Sequence, residues 1–442
     1  MNSISYKIKL LLAYRDLFRT RVPLLYNRMI SKSQQRARKA AADLRDKETV
    51  EVAFLLTIPG MWKLDYLFEA LRADPRYHPY VVIYPYSHFK GFSRLEIWKT
   101  IVRTKQFIEQ RGFEYIIPYD KKKHKWLNIN KEYQPDIVFF TTPYRDIEPR
   151  YYYYNFKNKL TCYVPYAFQA MNAYKLNYDQ IAINLYGLNF AETKMHLDFA
   201  KKYSRSKGEN FVVSGYPGIE VYLHSEYISP DPWKAQTKTK KRIIWAPHHT
   251  IDNTDDFQCS TFLLNCNIML KLAEKYKEEV QFAFKPHQLL KFKLQKMWGY
   301  QATEDYYRKW QTMENTQIEE SGYIDLFVHS DAMIHDSGSF TTEYLYLHKP
   351  IMYLVASDNA RQQFNKFGEK AFECHYQGRN EEQIEQFIQE VVIGGNDTMK
   401  EQRDIFYDSY LLPPNGHLPS ENIVRTIENF ISPKEANKEN NQ

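Results

Sequence analysis

The chain has 442 residues, 43% of them apolar and 26% charged, which is too long for one compact core, too apolar for a disordered protein, and suited to two α/β domains. Its net charge is +7, and the basic residues of positions 1–50 account for the whole excess, so the body is near neutral and does not read as a nucleic-acid-binding surface. The four cysteines, Cys162, Cys259, Cys266 and Cys374, lack CxxC spacing and read as reduced thiols of a cytoplasmic protein; no apolar run reaches the roughly eighteen residues that span a bilayer, and nothing resembles a cleavable signal.

Residues 4–30 interleave Leu, Ile, Phe and Tyr with Lys and Arg and are interrupted once, by Pro23. Two readings stay open for residues 1–30: a basic amphipathic helix lying on an anionic membrane, or a helix packing its apolar face on the body with its charges in water. Residues 31–48 continue as a polar helical connector, completing a basic helical arm over 1–50.

A first α/β domain is expected over residues 51–228. Strands are read at 51–59, 80–84, 115–118, 137–141, 160–166 and 211–218, with helices at 62–73 and 95–111 between them. The first strand runs into Thr57-Ile58-Pro59-Gly60-Met61 where a dinucleotide site would need GxGxxG, so no dinucleotide is expected there. Residues 229–241, with Ser229-Pro230-Asp231-Pro232 and a Lys/Thr run, carry the marks of a linker.

A second α/β domain is expected over 242–412. Its strand Arg242–Ala246 is cut off by Pro247 and followed by His248-His249-Thr250. A helix covers 260–276, and the strand 280–284 ends in Lys285-Pro286-His287. After a mostly helical insertion over 291–316 comes Tyr323 to Phe327. Next is a β-α-β unit: strand Ala332–His335, turn Asp336-Ser337-Gly338-Ser339, helix 340–348 and strand 351–355. Amphipathic helices are read at 380–392 and 419–431, the latter within a C-terminal segment 413–432, with a polar tail at 433–442.

In a parallel sheet all strand-to-helix turns share one edge, so His248-His249-Thr250, Lys285-Pro286-His287 and Asp336 to Glu343 should converge. Together they offer a cation (Lys285), imidazoles for a phosphate (His248, His249, His287), a helix N-terminus flanked by small hydroxyl residues, and a carboxylate (Glu343) one turn in, placed for a sugar diol. Those parts suit a nucleotide diphosphate and its departure as a leaving group. Taken singly, each is also an ordinary structural residue: a histidine after a strand, or a helix start of Ser, Thr and Asp. No metal is expected, because adjacent histidines rarely face one ion and no Cys or carboxylate spacing follows; Asp252, Asp255 and Asp256 read as a polar loop. Asp336 to Ser339 lacks the elbow of a nucleophilic serine.

With these residues in view, the chain resembles the CDP-glycerol glycerophosphotransferases that prime or polymerise teichoic-acid-like chains. The resemblance rests on Trp245-Ala246-Pro247-His248-His249, Phe284-Lys285-Pro286-His287, and Asp336 followed by Ser337, Ser339 and an acid seven positions on, Glu343. The DSG form of the last also resembles non-hydrolysing UDP-N-acetylglucosamine 2-epimerases. The resemblance implies a GT-B-like fold, two Rossmann-like domains facing a central cleft, with the nucleotide donor on the C-terminal domain. It implies that His287, with His248 and His249, acts at the donor diphosphate. It further implies that Pro247, Lys285, Asp336, Ser337, Gly338, Ser339, Thr341 and Thr342 cradle the donor and that Glu343 binds ribose. The family's W-H-G-T turn in the first domain, whose histidine is a candidate base, has no counterpart, since Val164-Pro165-Tyr166-Ala167 stands there. The arginine that usually follows the Y-A-P turn is also absent.

The expected activity is transfer of a glycerol-phosphate or similar polyol-phosphate unit from a CDP-activated donor to a glycan or lipid-linked acceptor, without a metal cofactor. It is expected in the cytoplasm, at the inner membrane face. The alternatives are a glycosyltransferase using a nucleotide sugar for capsule or lipopolysaccharide assembly, and a non-catalytic binding module of the same fold.

Overall fold

The computed structural model describes residues 20–86, 93–145, 147–252, 259–320 and 322–433. The chain falls into two units, the first made of residues 1–167, 174–220 and 413–442, the second of 168–173 and 221–412. Residues 1–19 of the arm, Asp255, Asp256 and the tail from 434 lie outside the described residues.

Among the described residues, nine strands occur in the first unit: β1 (Val50–Leu56), β2 (Tyr77–Ile83), β3 (Tyr115–Ile116), β4 (Tyr119–Asp120), β5 (Lys125–Trp126), β6 (Ile137–Phe140), β7 (Leu160–Tyr163), β8 (Leu188–Ala191) and β9 (Phe211–Val213). Seven form one sheet in the order β3-β2-β1-β6-β7-β8-β9, all parallel, while β4 and β5 pair separately and antiparallel. Helices cover both faces, so the central strands are apolar without alternation, as Val52, Ala53, Phe54, Leu55 and Leu56 in β1 illustrate. Strand β8 escapes sequence pattern because it is short and carries Asn189, which is buried and donates to the Ile183 carbonyl at 3.0 Å.

Two helices attach to this unit in ways the linear chain does not announce. Helix Pro419–Ile431 buries Ile423, Ile427 and Ile431 in the same core as Phe54 and Leu67, so the C-terminal segment completes the first unit. Helix Pro23–Ala42 starts at the proline, which is tolerated at the first helical position. It buries Tyr26 and Ile30 against Ala53, Leu55 and Val138. Ser33 Oγ donates to the Leu185 carbonyl at 2.5 Å and Gln34 Nε2 to that of Tyr186 at 2.9 Å. Within residues 1–30, then, 23–30 form part of a helix packed on this unit, in line with the second of the two readings for that stretch. Leu24 remains 78% exposed beside it.

The second unit contains β10 (Lys241–Ala246), β11 (Val280–Phe284), β12 (Thr316–Ile318), β13 (Ala332–His335), β14 (Ile351–Leu354) and β15 (Tyr376–Gly378). They form a parallel sheet in the order β12-β11-β10-β13-β14-β15. That is the doubly wound order, whose direction of winding reverses between β10 and β13. Trp245, fully buried, is the centre of the core, with Phe284 at 4.9 Å, Trp310 at 5.4 Å and Phe262 at 5.7 Å between ring centroids. The expected insertion resolves into helices Leu290–Trp298 and Tyr300–Thr312, followed by the unexpected edge strand β12.

Residues 229–241, expected as a linker, are built into this unit. Ser229 Oγ donates to Asp325 Oδ1 at 2.7 Å, and Trp233 Nε1 to the Leu326 carbonyl at 3.3 Å. The helix after β13 is shorter than expected: one α turn, Phe340–Glu343, tightens into a 3-10 turn, Tyr344–Leu347, and stops at His348, whose φ of 58° is left-handed.

Candidate active site

Three turns leave the carboxyl ends of β10, β11 and β13, neighbours in the sheet. Pro247 has no N–H and ends the β10 ladder; its carbonyl accepts from the His287 N–H at 3.1 Å, while the Lys285 N–H bonds the Trp245 carbonyl at 2.8 Å. The β10 and β11 turns are thereby strapped together.

Asp336 fastens the third turn to the first. It is fully buried, and its Oδ1 accepts from the His248 N–H at 2.5 Å. Its Oδ2 accepts from the Thr261 N–H at 2.5 Å and the Thr261 Oγ–H at 2.8 Å. Thr261 sits at the start of helix Phe262–Lys275, so one carboxylate pins the β10 exit, the β13 exit and that helix. Burial pushes its carboxyl up to about 6, against the hydrogen bonds that favour the charged form. Both oxygens are engaged internally, so Asp336 positions the turns.

The hydroxyl cradle divides. Gly338 and Ser339 are partly exposed, and Gly338 lies so close to Met171 that an added Cβ would stand 2.7 Å from its Sδ. Ser337 is 9% exposed, and its carbonyl accepts from Thr341 Oγ1 at 2.9 Å. Thr341 and Thr342 are wholly buried. No side chain caps this turn, and the Ser339 carbonyl receives the N–H groups of Thr342 at 3.0 Å and Glu343 at 3.1 Å. Glu343 is also buried and accepts from the Tyr323 hydroxyl. The Tyr222 phenol is pushed well up, chiefly by burial and then by the Glu343 charge. Thr261 and Tyr323 carry no motif signal; only a Thr before an apolar helix hinted at the first.

His248, His249 and His287 are half-buried and converge. Their ring centroids stand 4.3 Å apart for His248 and His249, 4.2 Å for His249 and His287, and 5.1 Å for His248 and His287. Adjacent side chains alternate sides in a strand, whereas His248 and His249 lie in an irregular turn and converge. Burial and then the neighbouring imidazole of His249 bring His248 down to about 3. Burial, the other two rings and Lys285 hold His287 well below the usual histidine range. His248 and His287 are therefore neutral at pH 7. The Leu289 N–H donates to His287 Nδ1 at 3.2 Å, which leaves the proton of that ring on Nε2. Lys285 is 7% exposed at the end of β11. Asp252, from the loop read as polar, pairs with Lys293 at 2.8 Å.

Comparison with known proteins spans residues of both units. Residues 171–429 match the model of the family described as CDP-glycerol:poly(glycerophosphate) glycerophosphotransferase. No curated protein matches the chain in sequence. Among solved structures, a variant of the wall teichoic acid polymerase TagF superposes with a TM-score of 0.56 at 13% identity, covering 95% of this chain and 97% of that one. The Staphylococcus aureus MnaA–UDP structure gives 0.56 at 15% identity, covering 87% and 97%. A UDP-N-acetylglucosamine 2-epimerase gives 0.56 at 14%, covering 90% and 100%. At these identities the structures establish the fold, which is of the GT-B type with two Rossmann-like domains.

Proposed function

The chain belongs to the CDP-glycerol:poly(glycerophosphate) glycerophosphotransferase family, and from that premise we propose that it transfers a glycerol-phosphate or similar polyol-phosphate unit. The donor is CDP-activated, and the acceptor is a hydroxyl of a glycan or lipid-linked chain in cell-surface polymer synthesis. The acceptor oxygen bonds to the phosphorus that bears the polyol, the bond from that phosphorus to CMP breaks, and the hydroxyl proton passes to a base. Negative charge builds on the departing CMP.

The observation that carries this reading is the strapping of three motif turns into one edge of one sheet, through the His287 N–H to Pro247 and the His248 N–H to Asp336. A diphosphate at that edge meets Lys285 and the imidazoles of His248, His249 and His287, with Gly338 and Ser339 backing it. Ribose lies toward Glu343, which Tyr323 holds. The place of action is the inner face of the cell membrane, where lipid-linked acceptors are presented. Among the described residues no helix is long and apolar enough to cross a membrane.

The test is calorimetric titration of the full chain with CDP-glycerol, CDP-ribitol, CMP, UDP and UDP-N-acetylglucosamine. Cytidine-selective binding is the expected result. Uridine-selective binding replaces the reading with a nucleotide-sugar transferase, and absence of all nucleotide binding replaces it with a non-catalytic module.

A further inference from the structure

The three imidazoles of His248, His249 and His287 can each offer one ring nitrogen such that all three lie within 4.8 Å of one another. Zinc–imidazole bonds of about 2.0–2.1 Å in a tetrahedral site put the nitrogens about 3.3 Å apart, so small side-chain rotations close the set. The rings come from turns that are already tied together, His287 to Pro247 and His248 to Asp336, so the backbone cost of gathering them is met by the fold. All three are half-buried, which limits competition from water.

We propose that His248, His249 and His287 form a binding site for a divalent transition metal of the zinc class. A ligand set of three imidazoles with no carboxylate selects Zn²⁺, Co²⁺ or Ni²⁺ over Mg²⁺ or Ca²⁺, which take oxygen ligands. Three protein ligands leave a fourth position open, the arrangement of zinc sites that take a substrate oxygen. Resting on the reading above, the ligand for that position is a diphosphate oxygen of the donor. A divalent ion held there would place positive charge against the diphosphate.

The proton arrangement is compatible without net proton release. Thr250 Oγ1 accepts from the Cys259 and Ser260 N–H groups, both at 3.1 Å, so its own proton points to His248 Nδ1, 3.1 Å away. His287 Nδ1 accepts from Leu289. Each of these neutral rings thus carries its proton on Nε2. Ligation through Nε2 moves the proton to Nδ1, and the Thr250 and Leu289 contacts to that nitrogen are given up. The opposing charge is Lys285 at the β11 exit; Lys293 is neutralised by Asp252.

Chelator-treated full-length protein is titrated with Zn²⁺ alone and, separately, loaded with Co²⁺ and read by visible absorption. One equivalent per chain is expected, with a tetrahedral Co²⁺ spectrum. His248→Ala, His249→Ala and His287→Ala should each weaken Zn²⁺ at least about 100-fold, the upper end of what loss of an outer-sphere partner costs. His417→Gln, in the other unit, should bind like the parent. His249→Cys should add a thiolate-to-Co²⁺ charge-transfer band, a signature of ligation that a merely destabilised variant would not give. Absence of stoichiometric uptake, or uptake unchanged in all three alanine variants, overturns the site. CDP-glycerol is then titrated into metal-free and Zn²⁺-loaded protein, and at least about tenfold tighter binding to the loaded form is expected. Equal affinity in both forms overturns the metal's role at the donor and leaves the proposed function standing. Intact Zn²⁺ uptake with no nucleotide binding overturns the proposed function and leaves the metal site.

Discussion

Replacing Asp336 by Asn changes one atom's hydrogen-bonding character at the point where three chain segments meet. The carboxylate accepts from the His248 N–H, the Thr261 N–H and the Thr261 hydroxyl, and hydrogen bonds to a charged group are worth about 1.5–3 kcal/mol each. Asparagine keeps one acceptor oxygen and turns an amide N–H toward the other partners. The Thr261 hydroxyl can rotate to accept from it, but the Thr261 N–H cannot. That substitution loses one charged bond, leaves a buried donor unpaired at about 1–3 kcal/mol, and weakens the remaining bonds by about 1 kcal/mol. Against this, the buried charge disappears. Raising the carboxyl from its ordinary value to about 6 corresponds to about 3 kcal/mol that is recovered. The net loss is about 0.5–4 kcal/mol, read as a fall of about 1–16 °C in the melting of the second unit. Differential scanning calorimetry of the parent and Asp336→Asn measures it. Nucleotide affinity should fall too, because the β10 turn is no longer pinned. Unchanged melting and unchanged CMP binding in the variant would refute the clip.

Glu343→Ala should weaken cytidine nucleotide binding about 10- to 100-fold, the worth of one hydrogen bond to a charged group. Tyr323→Phe, which removes the phenol bonded to Glu343, should weaken it less; calorimetry with CMP compares the two. Burial holds His375 at about 3 and His335 well below its ordinary value. Both histidines are neutral when folded and gain protons on unfolding below pH 6.5, so their contribution is full above that pH and is lost as pH falls from 6.5 toward 3. Urea unfolding at pH 5.5 should show about 1.4 kcal/mol less stability per histidine than at pH 7.5, and His375→Gln should flatten the slope by one such share. Ile30→Ser should destabilise the first unit by about 2–4 kcal/mol in thermal unfolding, through a core cavity and a buried hydroxyl. A surface helix would tolerate the change.

The parts legible in the sequence were those governed by burial on both faces. Strands Val280–Phe284 and Ala332–His335 and helix Pro419–Ile431 fall where the apolar pattern puts them. A buried parallel strand is an uninterrupted apolar run, and an amphipathic helix keeps its period. Strand β8, with Asn189 inside it, and the three-residue edge strand β12 lack that pattern. The three turns could be assigned to one sheet edge because the β-strand alternation with helices fixes their direction. Which side chains face outward at that edge could not be read. Asp336 and Thr341 look like phosphate ligands in a list of residues and also bond within the site, Asp336 to His248 and Thr261 and Thr341 to the Ser337 carbonyl; Thr342 is wholly buried. The meeting of His248 with His249 depends on an irregular backbone after Pro247, for which no periodicity exists. That helix Pro23–Ala42 packs through Tyr26 and Ile30 follows from a partner surface on β1 and β6, which its own sequence does not contain.

The most direct test of the proposed transfer is mass spectrometry of the full-length protein incubated with CDP-glycerol and a lipid-linked disaccharide or short glycan acceptor bearing glycerol phosphate. CMP should be released in step with acceptor that has gained one or more glycerol-phosphate units, and His287→Ala should lower the rate more than the affinity for donor. CMP released without any gain in acceptor mass, or a gain of the mass of a sugar from a nucleotide-sugar donor instead, would contradict it.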